Sequence, residues 1–253
     1  MKNAVLFFLI LLITPSGVQA SKIDMNQLAL EAIAEMPIAG GYELSELPAK
    51  RLEESFSFIL PADLSVDPFL ATPSYCTTAT YLIFYKILKR YWDLTGTNPE
   101  KELLLKIKPQ MEKDGFQIWG RWNSNGPGAA KFVFDSMIGT NFDDVKKALP
   151  GDFIKMFWND KIGKLEKGHT GIFLGVSIEN GIQMIRFWAS SKSTQGFGER
   201  VIPISEAKRI LFTRIDKPEN FRRIMGIPDN DSFLASMLTR ESNWSELKRV
   251  SGF

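Results

Sequence analysis

The 253-residue sequence contains one cysteine and one histidine, and its opposite charges nearly cancel. A single cysteine excludes an intramolecular disulfide, and together with one histidine it cannot form a typical zinc site, so we expect no metal. Lys and Arg number 31 against 29 Asp and Glu, a formal net charge of +2. This balance gives no reason to expect nucleic acid as a partner.

The first twenty residues have the pattern of a secretory signal peptide. Lys2 precedes an apolar run over 4–13, Pro15 breaks it, and residues 18–20 offer small side chains to a signal peptidase. The run is too short for a permanent membrane span, and no cysteine follows it to accept a lipid. We therefore expect cleavage near Ser21 and a secreted or periplasmic protein with no stable membrane anchor afterwards. The alternative is an uncleaved N-terminal anchor.

Hydrophobic periodicity divides the rest of the chain into a helical part and a strand-rich part. Helices are predicted over 25–36, 45–60 and 100–115, and a buried helix is predicted to start close to Cys76. Short runs rich in β-branched and aromatic residues predict strands at 151–158, 169–178, 181–190 and 200–204. Asn180-Gly181 predicts a tight hairpin between two of them. The expected fold class is α+β, a buried helix on a small antiparallel sheet, with extra helices at both ends.

The two solitary residues fall where cysteine chemistry favours them. A thiol at a helix N-terminus feels the positive end of the helix dipole, which lowers its pKa, and a nearby imidazolium lowers it further. Cys76 at the start of the buried helix and His169 at the start of a strand would suit a nucleophile and its general base. Residue type alone favours a second interpretation, in which both are ordinary packed side chains.

Four segments in order favour the catalytic interpretation. "YCTTATYLIFY", "LPGDFIKMFW", "GHTGIFLGV" and "IRFWASS" resemble, in sequence and order, the motifs of the NlpC-type cell-wall peptidases and amidases, which have a papain-like fold. The resemblance covers about residues 70–205. The resemblance implies a papain-like catalytic domain over 71–216. The signal-peptide pattern and the helical periodicity give the other regions, which are a signal peptide (1–20), an N-terminal helical region and connector (21–70) and a C-terminal helical extension (217–253).

By the same resemblance Cys76 is the nucleophile and His169 the general base. Asp152, in the "PGD" turn, is expected to tie down that turn and take no part in the reaction. The sequence departs from the family at Tyr75, where Asp is common before the catalytic Cys. The tyrosine hydroxyl could still line the site or donate toward an oxyanion.

The sequence departs from the family a second time at the position of the third catalytic residue. Trp188 stands where the family has a polar group that orients the imidazole, and an indole can only donate a hydrogen bond. Ser190, Ser191, Gln195 and a backbone carbonyl remain candidates, and we favour Ser191. Trp188 is then expected to line the substrate site.

The loop "WGRWNSNGPG" (119–128) is a candidate groove wall. Trp122 suits stacking on a substrate, Asn123 suits hydrogen bonding, and Arg121 suits a substrate carboxylate. With Tyr75 and Trp188 these residues complete the expected substrate-binding set. The alternative is that the tryptophans of this loop are core residues and Arg121 is a solvated charge.

Taken together, the sequence predicts an exported cysteine hydrolase that cleaves an amide bond, with a peptidoglycan stem peptide or a related amide as substrate and no cofactor. The substrate follows from the resemblance alone, because a fold does not determine a function. Two alternatives stay open. One is a non-catalytic cell-envelope binding module on the same fold, and the other is an acyl-transferring or effector amidase that acts on another substrate.

Overall fold

A computed structural model describes residues 23–60 and 63–253. The predicted signal peptide lies outside these residues. Within the described ranges, no helix is both long enough and apolar enough to cross a membrane.

The centre of the fold is a seven-stranded antiparallel sheet. In spatial order its strands are β1 (Ala39–Gly40), β9 (Gly196–Pro203), β8 (Ile182–Ser191), β7 (His169–Glu179), β5 (Phe153–Phe157), β10 (Arg209–Arg214) and β4 (Thr140–Phe142). Two small pairs lie outside it: β2 (Phe56–Leu60) with β3 (Asp63–Val66), and β6 (Ile162–Gly163) with β11 (Glu241–Ser242). The predicted α+β class is confirmed, and three strands of the sheet were not predicted.

Eight α-helices surround the sheet in the described ranges. They are α1 (Met25–Ala34), α2 (Leu47–Glu54), α3 (Cys76–Thr95), α4 (Lys101–Ile107), α5 (Gln117–Asn123), α6 (Gly128–Ser136), α7 (Ser232–Ser236) and α8 (Trp244–Ser251). Short 3-10 helices cover 145–147, 204–206 and 218–226. The predicted tight turn between β7 and β8 is confirmed, with Asn180 and Gly181 both at positive φ, 50° and 79°.

Helix α3 is the central helix, and it starts at Cys76 as predicted. Tyr75 is extended, and its N–H donates to Thr78 Oγ1 at 2.9 Å, which caps the first turn. Gly96 ends the helix in the left-handed conformation. Residues 77–85 are all buried, because one side of α3 faces β7 and β8 while α1 and α5 cover other sides. This explains why its sequence is apolar all round.

Three helix predictions were wrong in part. The predicted helix 45–60 ends at Glu54, and the β-prone run "FSFIL" after it pairs with β3 instead. The predicted helix 100–115 ends at Ile107, two residues before Pro109, since proline disfavours helix in the residue that precedes it. The C-terminal segment is only partly helical, because β11 pairs with β6.

The terminal regions share the central core. Met25 and Leu28 of α1, and Ile224 and Ile227 of the C-terminal segment, belong to one buried cluster with α3 and the α3-facing side of the sheet. A smaller cluster, which includes Phe187, covers the opposite side of the sheet. Both ends of the described chain therefore help to hold the helix that carries Cys76.

Asp152 anchors the turn that leads into β5. The carboxylate is fully buried and accepts hydrogen bonds from Arg214 at 2.7 and 2.8 Å, from Asn26 Nδ2 at 2.9 Å and from the Leu149 N–H at 2.8 Å. Gly151 beside it has φ +97°, and a Cβ there would lie 2.4 Å from the Asn26 carbonyl. The structural role predicted for Asp152 is confirmed.

We expect Asp152→Ala to lower the free energy of unfolding by about 2–4 kcal/mol, because it leaves the guanidinium of Arg214 and a backbone amide without their acceptor. Urea denaturation measures this. The matched control is Asp160→Ala, which breaks an exposed pair with Arg209 and should cost less than about 1 kcal/mol. Equal losses in the two variants would show that the Asp152 network does not anchor the fold.

Candidate active site

Cys76 and His169 line the same cavity, whose volume is about 780 Å³. Cys76 is the first residue of α3 and is half-buried. His169 is the first residue of β7 and pairs with Met156 of β5. The packing of α3 on β7 thus brings together the two residues that the sequence singled out.

A close approach of the backbone holds the start of β7. Gly168 has φ +74°, and a Cβ there would lie 2.7 Å from the Lys155 side chain and 2.9 Å from the Met156 carbonyl. The Gly168 N–H donates to Glu166 Oε1 at 2.8 Å, and the second oxygen of this buried carboxylate accepts from Asn159 Nδ2 at 3.0 Å. The residue before the histidine therefore has to be glycine.

The thiol is tuned toward its ionised form. Burial opposes ionisation, but the charge and hydrogen bond of the His169 imidazolium, the charge of Lys155 and the N–H of Thr170 outweigh it and lower the pKa of Cys76 to about 6. At neutral pH most of the thiol is then thiolate, the form that acts as a nucleophile.

Lys155 is the residue that the sequence analysis missed. Its side chain lines the cavity and forms neither a hydrogen bond nor an ion pair within the described ranges. Burial lowers the pKa of Lys155, and the negative charges of Cys76, Glu166 and Asp114 offset part of that effect. The sequence feature that could have identified Lys155 is its position as the only charged residue in the apolar run "FIKMF" (153–157). By strand alternation Lys155 lies on the same face as Phe153, which belongs to the core around α3.

A polar wall borders the thiol on the other side. Thr77 Oγ1 donates to Asn123 Oδ1 at 2.6 Å, and Asn123 Nδ2 donates to Asp114 Oδ1 at 3.4 Å. Burial raises the pKa of Asp114, although hydrogen bonds from the Asn125 backbone and from Asn123 oppose this. Tyr75 also lines the cavity, and its ring stacks on Trp119 at 6.4 Å. Tyr75 and Asn123 thus lie in the predicted site.

The orienting role predicted for Ser191 is not borne out by its hydrogen bonds. Ser191 lines the cavity, but its hydroxyl bonds to Ser193 at 3.0 Å and to Thr194 at 2.8 Å. Nε2 of His169 is buried and has no hydrogen-bond partner among the described residues. The imidazole instead lies edge-on to the Phe187 ring, with centroids 5.8 Å apart.

Arg121 is part of a buried ion-pair network and does not line the cavity, contrary to the prediction. Its guanidinium is only 2% exposed and bonds to Asp135 at 3.1 Å, to Asp231 at 3.0 Å and to the Pro228 carbonyl at 2.7 Å. The last two partners belong to the C-terminal segment. Arg121 thus ties that segment to α5 and α6.

Two predicted substrate-binding tryptophans are core residues. Trp122 stacks on Phe84 at 4.7 Å, and its indole N–H donates to Thr80 Oγ1 at 3.1 Å. Trp188 stacks almost parallel on Phe197 at 5.7 Å. Both are buried and outside the cavity lining. The predictions failed because an aromatic residue in a motif does not show on which side of its element it packs.

Across residues 23–60 and 63–253, no group of three or more His, Cys, Asp and Glu side chains could hold a metal ion. The titratable groups that line the cavity include the thiol of Cys76, the imidazole of His169, the ammonium of Lys155 and the carboxyl of Asp114.

No protein-family model, curated protein sequence or solved structure matches this chain. The resemblance to the NlpC-type enzymes therefore depends on the short sequence motifs alone.

We expect Lys155→Met to raise the pKa of Cys76, because it removes a positive charge that stabilises the thiolate. The midpoint of iodoacetamide alkylation against pH should rise, and the rate below that midpoint should fall by about threefold or more. Lys146→Met is the matched control, since Lys146 is exposed and lies outside the cavity. An unchanged midpoint in Lys155→Met would rule out its effect on the thiol.

Proposed function

We propose that the protein is a cysteine hydrolase on a papain-like fold that cleaves an amide bond. The observation that carries this proposal is the pairing of a thiol whose pKa is about 6 with the only imidazole of the chain, in one open cavity. A merely structural cysteine gains nothing from such an environment, whereas a nucleophile needs it.

In the proposed first step the Cys76 thiolate attacks the carbonyl carbon of the substrate amide and forms a tetrahedral oxyanion. The first N–H groups of a helix lack intrahelical partners and mark its positive end. The Cys76 N–H at the start of α3 is therefore the proposed oxyanion donor, and the nearby ammonium of Lys155 adds positive potential.

The His169 imidazolium then gives its proton to the leaving amine, the C–N bond breaks, and a thioester remains on Cys76. In the second step neutral His169 takes a proton from water, and the hydroxide adds to the thioester carbonyl. The C–S bond breaks, a carboxylic acid leaves, and the thiolate–imidazolium pair is restored. Protons and electrons balance without a cofactor.

The proposed substrate is a peptide stem of bacterial peptidoglycan, and the proposed location is outside the cytoplasm. The support for both is sequence-based: the order of the four motifs and the signal-peptide pattern at the N-terminus. A cavity of about 780 Å³ is within the range that accommodates a small peptide fragment.

A non-catalytic binding module is the second candidate function, and one observation favours it. In nucleophile–base pairs the base is usually oriented by a third group, yet Nε2 of His169 has no protein partner in the described part of the chain. A site that has lost its orienting residue could retain the cavity for binding alone.

We expect iodoacetamide to label Cys76 of the native protein with a rate that titrates near pH 6. In His169→Ala the midpoint should shift upward toward the ordinary thiol value, and the rate at pH 6.5 should fall by about tenfold or more. Labelling in denaturant, where both proteins should react alike, is the control for thiol content.

Turnover separates the two candidate functions. Purified stem peptides are incubated with the wild type and with Cys76→Ala, and mass spectrometry detects products that have gained one water. Cysteine-dependent products support the hydrolase. Binding of the peptides without turnover, together with labelling only in denaturant, would replace it with the binding module.

A further inference from the structure

The charge of the cavity is unbalanced. Four cationic side chains line it, against the single carboxylate of Asp114, and they are Lys155, Lys167, Lys192 and Arg200. No ion pair involves any of these four within residues 23–60 and 63–253. Elsewhere in the fold many cations have a protein carboxylate as partner, as Arg121 and Arg214 do.

Lys155 differs from the other three because its charge already acts on the Cys76 thiolate. Lys167, Lys192 and Arg200, which we call the cationic rim, remain without such a partner. Lys167 and Lys192 are exposed, and Arg200 is half-buried. Their positions follow from the sheet, since Lys167 is two residues before β7, Lys192 follows the last residue of β8, and Arg200 lies in β9.

Arg200 and His169 share an aromatic neighbour, Phe187. Its guanidinium carbon is 5.6 Å from the centroid of the Phe187 ring, and the His169 ring contacts that same phenyl ring. Tyr42 connects them further: burial raises the pKa of this phenol, the charge of Cys76 raises it too, and the charge of Arg200 lowers it. A substrate at Cys76 would therefore be within reach of the field of Arg200.

Three cations without counter-ions around one opening repel one another and concentrate positive potential there. Such a cleft attracts anions and raises their local concentration. Within residues 23–60 and 63–253 the Arg200 guanidinium has no hydrogen-bond acceptor, and its paired donors match the two oxygens of a carboxylate.

We propose that the cationic rim binds a carboxylate of the substrate, so that the enzyme selects amides with a negatively charged group near the scissile bond. Arg200 supplies the directional contact, and Lys167 and Lys192 supply steering. This inference rests on the proposed function, because it needs Cys76 to react in the folded protein.

Two alkylating agents that differ in charge test the inference without a known substrate. Iodoacetate carries a carboxylate and iodoacetamide is its neutral amide analogue, and both alkylate Cys76. The quantity measured is the ratio of their second-order rate constants at pH 7 and low ionic strength, in the native full chain. The thiol of the denatured chain gives the reference ratio.

We expect the native ratio to exceed the reference and to fall by about two- to fivefold in each of Arg200→Gln and Lys192→Gln, with little change for iodoacetamide alone. Arg200→Lys should keep most of the ratio because it keeps the charge. Lys146→Gln, an equal charge loss outside the cavity, should leave it unchanged. Added salt should lower the iodoacetate rate selectively.

A ratio that stays the same in both rim variants while both reagents label the native thiol would overturn the cationic rim and leave the proposed hydrolase standing. Failure of both reagents to label the native protein would remove the hydrolase itself. Circular dichroism of each variant checks that it is folded. Because Lys192 is exposed, its substitution does not disturb the packing of the core.

Discussion

The contact between the first turn of α3 and the start of β7 is the constraint on which the rest of the structure depends. A thiolate beside an imidazolium requires two elements distant in sequence to meet with little freedom, and a small error in their spacing would weaken the charge interaction. The fold meets this requirement with a long helix that is buried on almost every side and rests on β7 and β8. Both terminal regions contribute side chains to the same core, so they help to fix the helix, and Tyr42 and Leu238 from these regions also line the cavity.

Local backbone contacts determine where α3 and β7 begin. The cap formed by Thr78 starts the helix at Cys76, and the absence of a side chain at Gly168 lets the chain pass close to β5 just before His169. Glu166 holds that passage through the backbone N–H of Gly168. Each of these contacts involves the backbone of Tyr75 or Gly168, so none of them uses the side chain of Cys76 or His169.

Much of the arrangement could be predicted from the sequence where the signal is local. The start of α3, the strands β5, β7 and β8 and the turn at Asn180-Gly181 were predictable from period and turn chemistry. The strand β2 was taken for helix because periodicity over a short run is ambiguous, and the partner strand that decides it is not visible in the run itself. The roles expected for Arg121, Trp122 and Trp188 failed for a related reason, since their packing partners are distant in sequence. Lys155 was overlooked because a lysine in a strand is usually solvated. Only the fold shows that it pairs with Thr170, next to His169, and lines the same cavity as Cys76.

Two cationic groups, His169 and Lys155, lower the pKa of the Cys76 thiol. In a triad the third residue stabilises the imidazolium and thereby the ion pair with the nucleophile. Here Nε2 of His169 has no protein acceptor in the described chain, and the ring is held by packing on Phe187 instead. The charge of Lys155 lowers the pKa of the thiol as well, after the larger contributions of His169. Burial disfavours the charged form of Lys155 and lowers its pKa. The same low-dielectric surroundings strengthen the attraction between the ammonium of Lys155 and a thiolate at Cys76, which raises the pKa of Lys155 again.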